Sequence, residues 1–148
     1  MDILDLIKNE YRQIETLFSE IESTSDTVKL YKGFNKLSEE IILHTEVKAQ
    51  TFYPEIHQLG EKKELIDTAL REHNEIRQML EEIESLSPTS QEFQTQVQAA
   101  KRLFQHHIQE EEKVFSQVRQ HMSEAKRREL ASKFAAAKSK LASDPVVG

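Results

Sequence analysis

The sequence predicts an all-α protein, an up-down-up-down four-helix bundle followed by a C-terminal fifth helix. Only three glycines and three prolines occur in 148 residues, and no alternation of apolar and polar residues indicates a strand. Apolar residues instead recur at steps of three and four along four long stretches, which is the period of a helix with one buried face. Short polar segments separate these stretches, so neighbouring helices are expected to run in opposite directions.

The composition is that of a soluble protein with a single core, with 37% hydrophobic and 31% charged residues. A net charge of −6 argues against a nucleic-acid partner, because phosphate binding needs clustered cations. We find no run of membrane-spanning length and no secretory pattern, so we expect a cytoplasmic protein with no membrane span. The absence of cysteine excludes disulfides, thiolate metal sites and a cysteine nucleophile.

Helices one and two form the first predicted hairpin. Helix one is expected to begin near Asp2, a suitable N-cap, and to end near Ser23. The segment 23–26 can cap helix two, which Pro54 should kink or end. The inward-facing residues are Leu4, Ile7, Tyr11, Ile14, Phe18 and Ile21 in helix one, and Leu30, Phe34, Leu37, Ile41, His44, Lys48 and Phe52 in helix two.

Helices three and four form the second hairpin. Helix three is expected from about Lys62 to Leu86, and the loop 87–90 follows it. Thr89 and Glu92 have the spacing of a capping box that opens helix four. The inward-facing residues are Ile66, Ala69, His73, Ile76, Leu80 and Ile83 in helix three, and Phe93, Val97, Ala100, Phe104, His107, Glu111, Val114 or Phe115, Val118 and Met122 in helix four.

A break at Ser123 separates this bundle from a basic fifth helix. The expected division is a four-helix bundle over 1–122, a basic C-terminal helix over 123–142 and a polar tail over 143–148. We expect the fifth helix to pack across the end of the bundle. The alternative is contact with a protein partner, with a second copy in a homodimer or with an anionic surface.

Every long helix interrupts its apolar stripe with a polar side chain at a similar height along the bundle. These residues are Tyr11, His44 with Lys48, His73, and His107 with Glu111. Burying an unpaired charge is unfavourable, so such side chains need a partner. Spacing alone leaves two kinds of partner open, a metal ion or another buried polar side chain.

The polar motifs resemble those of the hemerythrin-like HHE cation-binding domain over about residues 2–120. They are His-Thr-Glu-Val-Lys at 44–48, Glu-His-Asn at 72–74 and His-His-Ile-Gln-Glu-Glu at 106–111. The resemblance implies a four-helix bundle holding two irons through histidines and bridging carboxylates, with roles in oxygen binding, redox sensing or iron handling. The residues that fall on the family's metal ligands are His44, His73, His107 and Glu111.

The sequence departs from the family pattern at two positions that matter for a metal. Tyr11 stands where the family usually has a histidine, and Lys48 stands where it has a bridging glutamate. Arg77 also replaces a second histidine of the oxygen carriers. A protonated lysine cannot bind a metal and repels a nearby cation. We therefore expect a mononuclear site rather than an intact di-iron centre.

Three interpretations remain open, and the first is favoured. One non-heme iron, with zinc or manganese as alternatives, binds His73, His107 and Glu111, with His44 as a further candidate and with Tyr11 and Lys48 lining the site. Such a domain would act on or sense a small molecule such as oxygen or peroxide. The residues indicate no particular substrate, and whether the chain is an enzyme stays undecided.

The second interpretation is a metal-free bundle in which Lys48 pairs with Glu111, serving as a binding or interaction module. The third is a di-iron site that uses Tyr11 as a phenolate ligand. In all three, Tyr53 is interpreted as a packing residue and His106 as a flanking one.

Overall fold

The computed structural model describes residues 1–58 and 63–142. All regular secondary structure in these residues is helical. The helices are α1 Ile3–Glu22, α2 Thr27–Thr51, α3 Tyr53–Gln58, α4 Lys63–Glu84, α5 Gln91–His121 and α6 Glu124–Ala142. The long helices α1, α2, α4 and α5 form the four-helix bundle, and α6 is the additional C-terminal helix, so the predicted fold class is confirmed.

Side-chain caps fix where the long helices begin. The carboxylates of Asp2 and Asp26 accept hydrogen bonds from first-turn backbone N–H groups of α1 and α2, which are otherwise without partners in the helix. At α5 the cap is Ser90, whose hydroxyl accepts from the backbone of Phe93 at 3.1 Å. The predicted cap at Thr89 is one residue early, because the Thr89 hydroxyl pairs with another loop hydroxyl instead.

The end of α2 determines which side chains enter the core beside it. The helix ends at Thr51, and Pro54 lies in the first turn of the short helix α3, where its missing N–H leaves no hydrogen bond unmade. This turn directs Phe52 and Tyr53 into the core, where both are buried. Helix two therefore ends near Pro54, as predicted, and a separate short helix follows it.

Helix α6 lies beside α1 and α2. Leu130 and Phe134 are its fully buried residues. Its Arg127 pairs with Asp2, which caps α1, while Lys138 pairs with Glu10 further along α1. The two ion pairs show that α6 runs along the side of the hairpin, so the expected placement across the bundle end is wrong.

Two predicted features lie outside the described residues. They are the start of helix three at Lys62 and the polar tail over 143–148. Of the helices in 1–58 and 63–142, none combines the length and the apolar character needed to cross a membrane.

Candidate functional site

Six buried polar side chains meet inside the bundle, and we call them the inner cluster. None of them is more than 6% exposed. They are contributed by α1, α2, α3, α4 and α5, so the bundle fold itself brings them together. The inner cluster consists of Tyr11, Lys48, Tyr53, His73, His107 and Glu111.

The Glu111 carboxylate is the centre of the inner cluster. Its Oε2 accepts hydrogen bonds from Lys48 Nζ at 2.7 Å and from the Tyr11 hydroxyl, and its Oε1 accepts from the Tyr53 hydroxyl at 2.8 Å. His107 Nε2 lies 2.9 Å from Oε2. Burial alone would raise the pKa of Glu111, but the Lys48 ammonium and His107 hold it well below its usual range. Glu111 is therefore an ionised carboxylate with a full set of partners.

Lys48 has no exposure to solvent. Besides Glu111, its Nζ lies 3.3 Å from the Tyr11 hydroxyl oxygen and 3.2 Å from His107 Nε2. The ammonium is also 5.2 and 5.6 Å from the ring centres of Tyr11 and Tyr53, within the range of a cation–π interaction. Burial lowers the pKa of Lys48, and the attraction of Glu111 opposes this shift without cancelling it.

The two histidines of the inner cluster differ in their electrostatics. His73 Nε2 lies 3.3 Å from His107 Nε2 and 3.3 Å from the Tyr53 hydroxyl. Burial, followed by repulsion from Lys48, holds the pKa of His73 far below its usual value. Burial and Lys48 act the same way on His107, but Glu111 and Glu72 outweigh them and raise its pKa.

His44 lies beside the inner cluster, but its hydrogen bond is with Glu10, outside the cluster. Its Nδ1 is 2.6 Å from Glu10 Oε1, and Glu10 Oε2 in turn pairs with Lys138 of α6. Its Nε2 is buried and has no hydrogen-bond partner, while the ring packs edge-on against Tyr11. Burial, followed by repulsion from Lys48, lowers the pKa of His44 to about 4.

Glu72 occupies a matching position on the other side of the bundle. Its Oε1 lies 3.7 Å from His107 Nδ1, and its Oε2 lies 3.9 Å from His106 Nε2. Both Glu72 oxygens and His107 Nδ1 are buried without a hydrogen-bond partner. Glu10 and Glu72 thus each face the Nδ1 atom of a histidine, which is how carboxylates orient metal-binding imidazoles.

The donor atoms of the inner cluster have nearly the spacing of metal ligands. His107 Nε2 lies 3.3 Å from His73 Nε2 and 2.9 Å from Glu111 Oε2, close to the separation expected when bonds of about 2.1 Å meet at one metal. Lys48 Nζ, however, is within 3.2 Å of two of these three atoms. Its positive charge stands where the cation would bind, so these residues do not fit a metal while Lys48 keeps its proton.

The structure brings His73, His107 and Glu111 together with Tyr11 and Lys48, and it leaves both His44 nitrogens out of the hydrogen bonds of this cluster. In residues 1–58 and 63–142, no group of three or more histidine or acidic side chains is arranged to hold a metal as it stands.

Sequence reasoning misses the roles of four polar residues. The pattern indicates that Tyr53 only packs, yet its hydroxyl donates to Glu111. Glu10 contacts His44, Lys138 contacts Glu10, and Glu72 lies beside His107, and the sequence carries no signal of these contacts.

Comparisons with known proteins agree with this architecture. The family profile described as Hemerythrin HHE cation binding domain matches residues 2–118. The chain is 29% identical over 145 residues to a protein of Nostoc sp. strain PCC 7120 named DNA nickase, and the match covers 95% of this chain and 40% of that relative. The chain thus spans less than half the length of this curated relative.

Among solved structures, the chain is similar to a hemerythrin HHE cation-binding domain-containing protein from Mycobacterium kansasii. The TM-score is 0.78 with 18% sequence identity, and the match covers 95% of this chain and 86% of the other. At that identity the similarity supports the fold alone.

Proposed function

This chain belongs to the hemerythrin HHE cation-binding domain family, and we propose that it is a member in which the Lys48 ammonium replaces the metal. On this proposal the bundle is a metal-free binding or interaction module. This is the second of the three interpretations that the sequence leaves open, and the geometry of the inner cluster supports it better than the first.

The position of Lys48 carries the proposal. Its Nζ lies 2.7 Å from Glu111 Oε2 and 3.2 Å from His107 Nε2, two of the atoms that would bind a metal. Relative to the glutamate that the family resemblance implies at this position, lysine exchanges a negative charge for a positive one. In a buried site of low effective dielectric, that charge strongly opposes a divalent cation. The ion pair with Lys48 also supplies the buried Glu111 carboxylate with its counter-charge.

The assignment as an interaction module is supported by surface features at the start of α2. Val28 and Tyr31 are 61% and 58% exposed, and they lie about one turn apart on α2. An open groove at the same end of α2 is lined by residues of α1 and α2, which include Lys29, Lys32 and Gly33. We propose this surface as the contact for a partner protein.

Metal analysis tests the proposal. The full chain and a Lys48→Glu, Tyr11→His double variant are produced with iron under reducing conditions, and bound iron is measured per chain. We expect far less than one iron in the natural sequence. The double variant restores the residue types that the family resemblance implies, so it should gain iron and the near-ultraviolet absorption of an oxo-bridged pair. The matched control is Lys133→Glu, which changes an exposed lysine on α6 and should leave the iron content and the absorption unchanged.

The second candidate is the mononuclear iron site on His73, His107 and Glu111, for sensing or reacting with oxygen or peroxide. The ligand-like spacing of these donor atoms favours it, and the lowered pKa of Lys48 would assist loss of the obstructing proton. One iron per chain in the natural sequence, lost in His73→Asn, would establish this candidate and overturn the metal-free proposal. A di-iron site using Tyr11 has less support, because the Tyr11 hydroxyl donates its hydrogen bond to Glu111 and the Lys48 ammonium lies 3.3 Å from its oxygen.

The relative named DNA nickase makes strand cleavage worth a direct assay. We expect no nicking of supercoiled plasmid by this chain, with or without added divalent metal. The inner cluster is closed to a phosphodiester, and a net charge of −6 disfavours binding of a polyanion. Nicking by the natural sequence that is abolished by His107→Ala would contradict this prediction.

A further inference from the structure

The outer side of His107 holds a group of buried polar atoms that have no hydrogen-bond partner. Glu72 is 7% exposed, and neither of its oxygens has a hydrogen-bond partner. The Nδ1 atom of His107 beside it is also unpartnered. Buried polar atoms are nearly always paired, so unpaired ones point to a water or an ion at that position.

The distances between these atoms favour an ion. Glu72 Oε1 is 3.7 Å from His107 Nδ1, and Glu72 Oε2 is 3.9 Å from His106 Nε2. Both gaps are too long for a direct hydrogen bond. Two metal–ligand bonds of about 2.1 Å, meeting at an angle near that of tetrahedral or trigonal coordination, separate the donor atoms by about 3.4–3.7 Å. A cation between Glu72 and His107 would span the 3.7 Å gap, and the exposed His106, at 3.9 Å from Glu72, would have to move slightly closer to join it.

The inner cluster prepares His107 for such a role. Its Nε2 lies 2.9 Å from Glu111 Oε2, at hydrogen-bond distance with Nε2–H as the donor. With that proton on Nε2, a cation bound at Nδ1 takes the place of any proton there and directly faces Glu72. A histidine that donates one N–H to a carboxylate and binds a metal through its other nitrogen is a common arrangement in metal sites.

We propose that Glu72, His106 and His107 Nδ1 bind one divalent transition-metal cation, such as zinc, at an outer site between α4 and α5. The inference rests on the proposed function, because Lys48 closes the inner position and leaves only the outer nitrogen of His107 available. His106 has a side chain that is 59% exposed and can turn inward to complete the set. A cavity of about 10 Å³ bounded by Thr68 and Glu110 has room for a water as the remaining ligand.

Calorimetric titration of the full chain with Zn²⁺ tests the outer site. We expect one Zn²⁺ per chain, with affinity reduced at least about tenfold in Glu72→Gln and in His106→Gln. His57→Gln, an exposed histidine on α3, is the matched control and should bind as the natural sequence does. Co²⁺ in place of Zn²⁺ should give visible absorption typical of four-coordinate cobalt, and this absorption should be absent in Glu72→Gln.

A His73→Asn variant separates the outer site from the inner cluster. Zn²⁺ binding that survives in His73→Asn and weakens in Glu72→Gln supports the outer site. The opposite pattern places the metal in the inner cluster and overturns both proposals. Absence of Zn²⁺ binding, or binding that is indifferent to Glu72→Gln and His106→Gln, overturns the outer site alone and leaves a bridging water there. Far-ultraviolet circular dichroism confirms that each variant is folded.

Discussion

Lys48 and Glu111 form a buried ion pair whose removal can be measured one side at a time. Replacing Lys48 with Met leaves the Glu111 carboxylate buried without its counter-charge, and we expect the free energy of unfolding to fall by about 3–5 kcal/mol. Glu111→Gln should also destabilise, because it leaves the ammonium unpaired. The double variant should be more stable than the sum of the two losses predicts, since an apolar and a neutral side chain replace the pair together. Chemical denaturation of all four proteins measures this coupling, and strictly additive losses would contradict it.

The Tyr53 hydroxyl is a second contributor at the scale of single residues. It donates to Glu111 Oε1 at 2.8 Å, so Tyr53→Phe removes a buried hydrogen bond to a charged acceptor. We expect a loss of about 1.5–3 kcal/mol in unfolding free energy. Tyr31→Phe makes the same chemical change at an exposed position and should alter stability by less than about 0.5 kcal/mol. Equal effects at the two positions would show that Tyr53 only packs.

These residues show how far the sequence predicts a polar interior. Tyr11, Lys48, His107 and Glu111 lie on helix stripes of regular period, so their convergence, and even the pairing of Lys48 with Glu111, can be proposed from spacing. The direction of the Tyr53 side chain depends on how the chain turns at the end of α2, which periodicity does not encode. Spacing favours the metal interpretation, because it places side chains on one face of a helix without indicating which of them occupies the space they share.

Among the helices, α6 is the one whose contribution to stability the sequence pattern predicts least well. Its apolar face is narrow, yet Phe134 is fully buried against the first hairpin. Phe134→Ala should therefore lower the unfolding free energy by about 3–5 kcal/mol, whereas the exposed neighbour Lys133→Ala should have little effect. A small loss at Phe134 would mean that α6 is separable from the bundle, as the proposed division between 1–122 and 123–142 allows.

The sequence predicts where helices begin better than it predicts where α6 lies. Asp2 and Asp26 cap α1 and α2 as expected, because a capping side chain acts on backbone groups only two or three residues away. The lateral position of α6 depends on distant partners, such as the pairs of Arg127 with Asp2 and Lys138 with Glu10. Contacts between residues so far apart in the chain leave no local pattern.

For the whole molecule, the buried histidines and carboxylates together set the response to acid. The pKa of His44 is about 4 in the folded protein, against an ordinary value of 6.5. Between these values the unfolded chain binds a proton that the folded chain excludes, so stability falls as pH falls. The lowered pKa values of His73 and Glu111 act in the same direction, with Glu111 contributing below its ordinary value of 4.5. The raised pKa of His107 opposes them, because that histidine gains a proton more readily when folded.

We therefore expect the unfolding free energy to decrease steadily from about pH 6.5 to pH 4. The shift at His44 alone corresponds to about 3 kcal/mol over that interval. His44→Gln removes this titration, so its stability should depend less steeply on pH even if it is lower near pH 7. His57→Gln, which changes an exposed histidine, should keep the slope of the natural sequence. Denaturation curves at several pH values give the slopes, and an unchanged slope in His44→Gln would show that His44 is protonated within the folded protein at an ordinary pH.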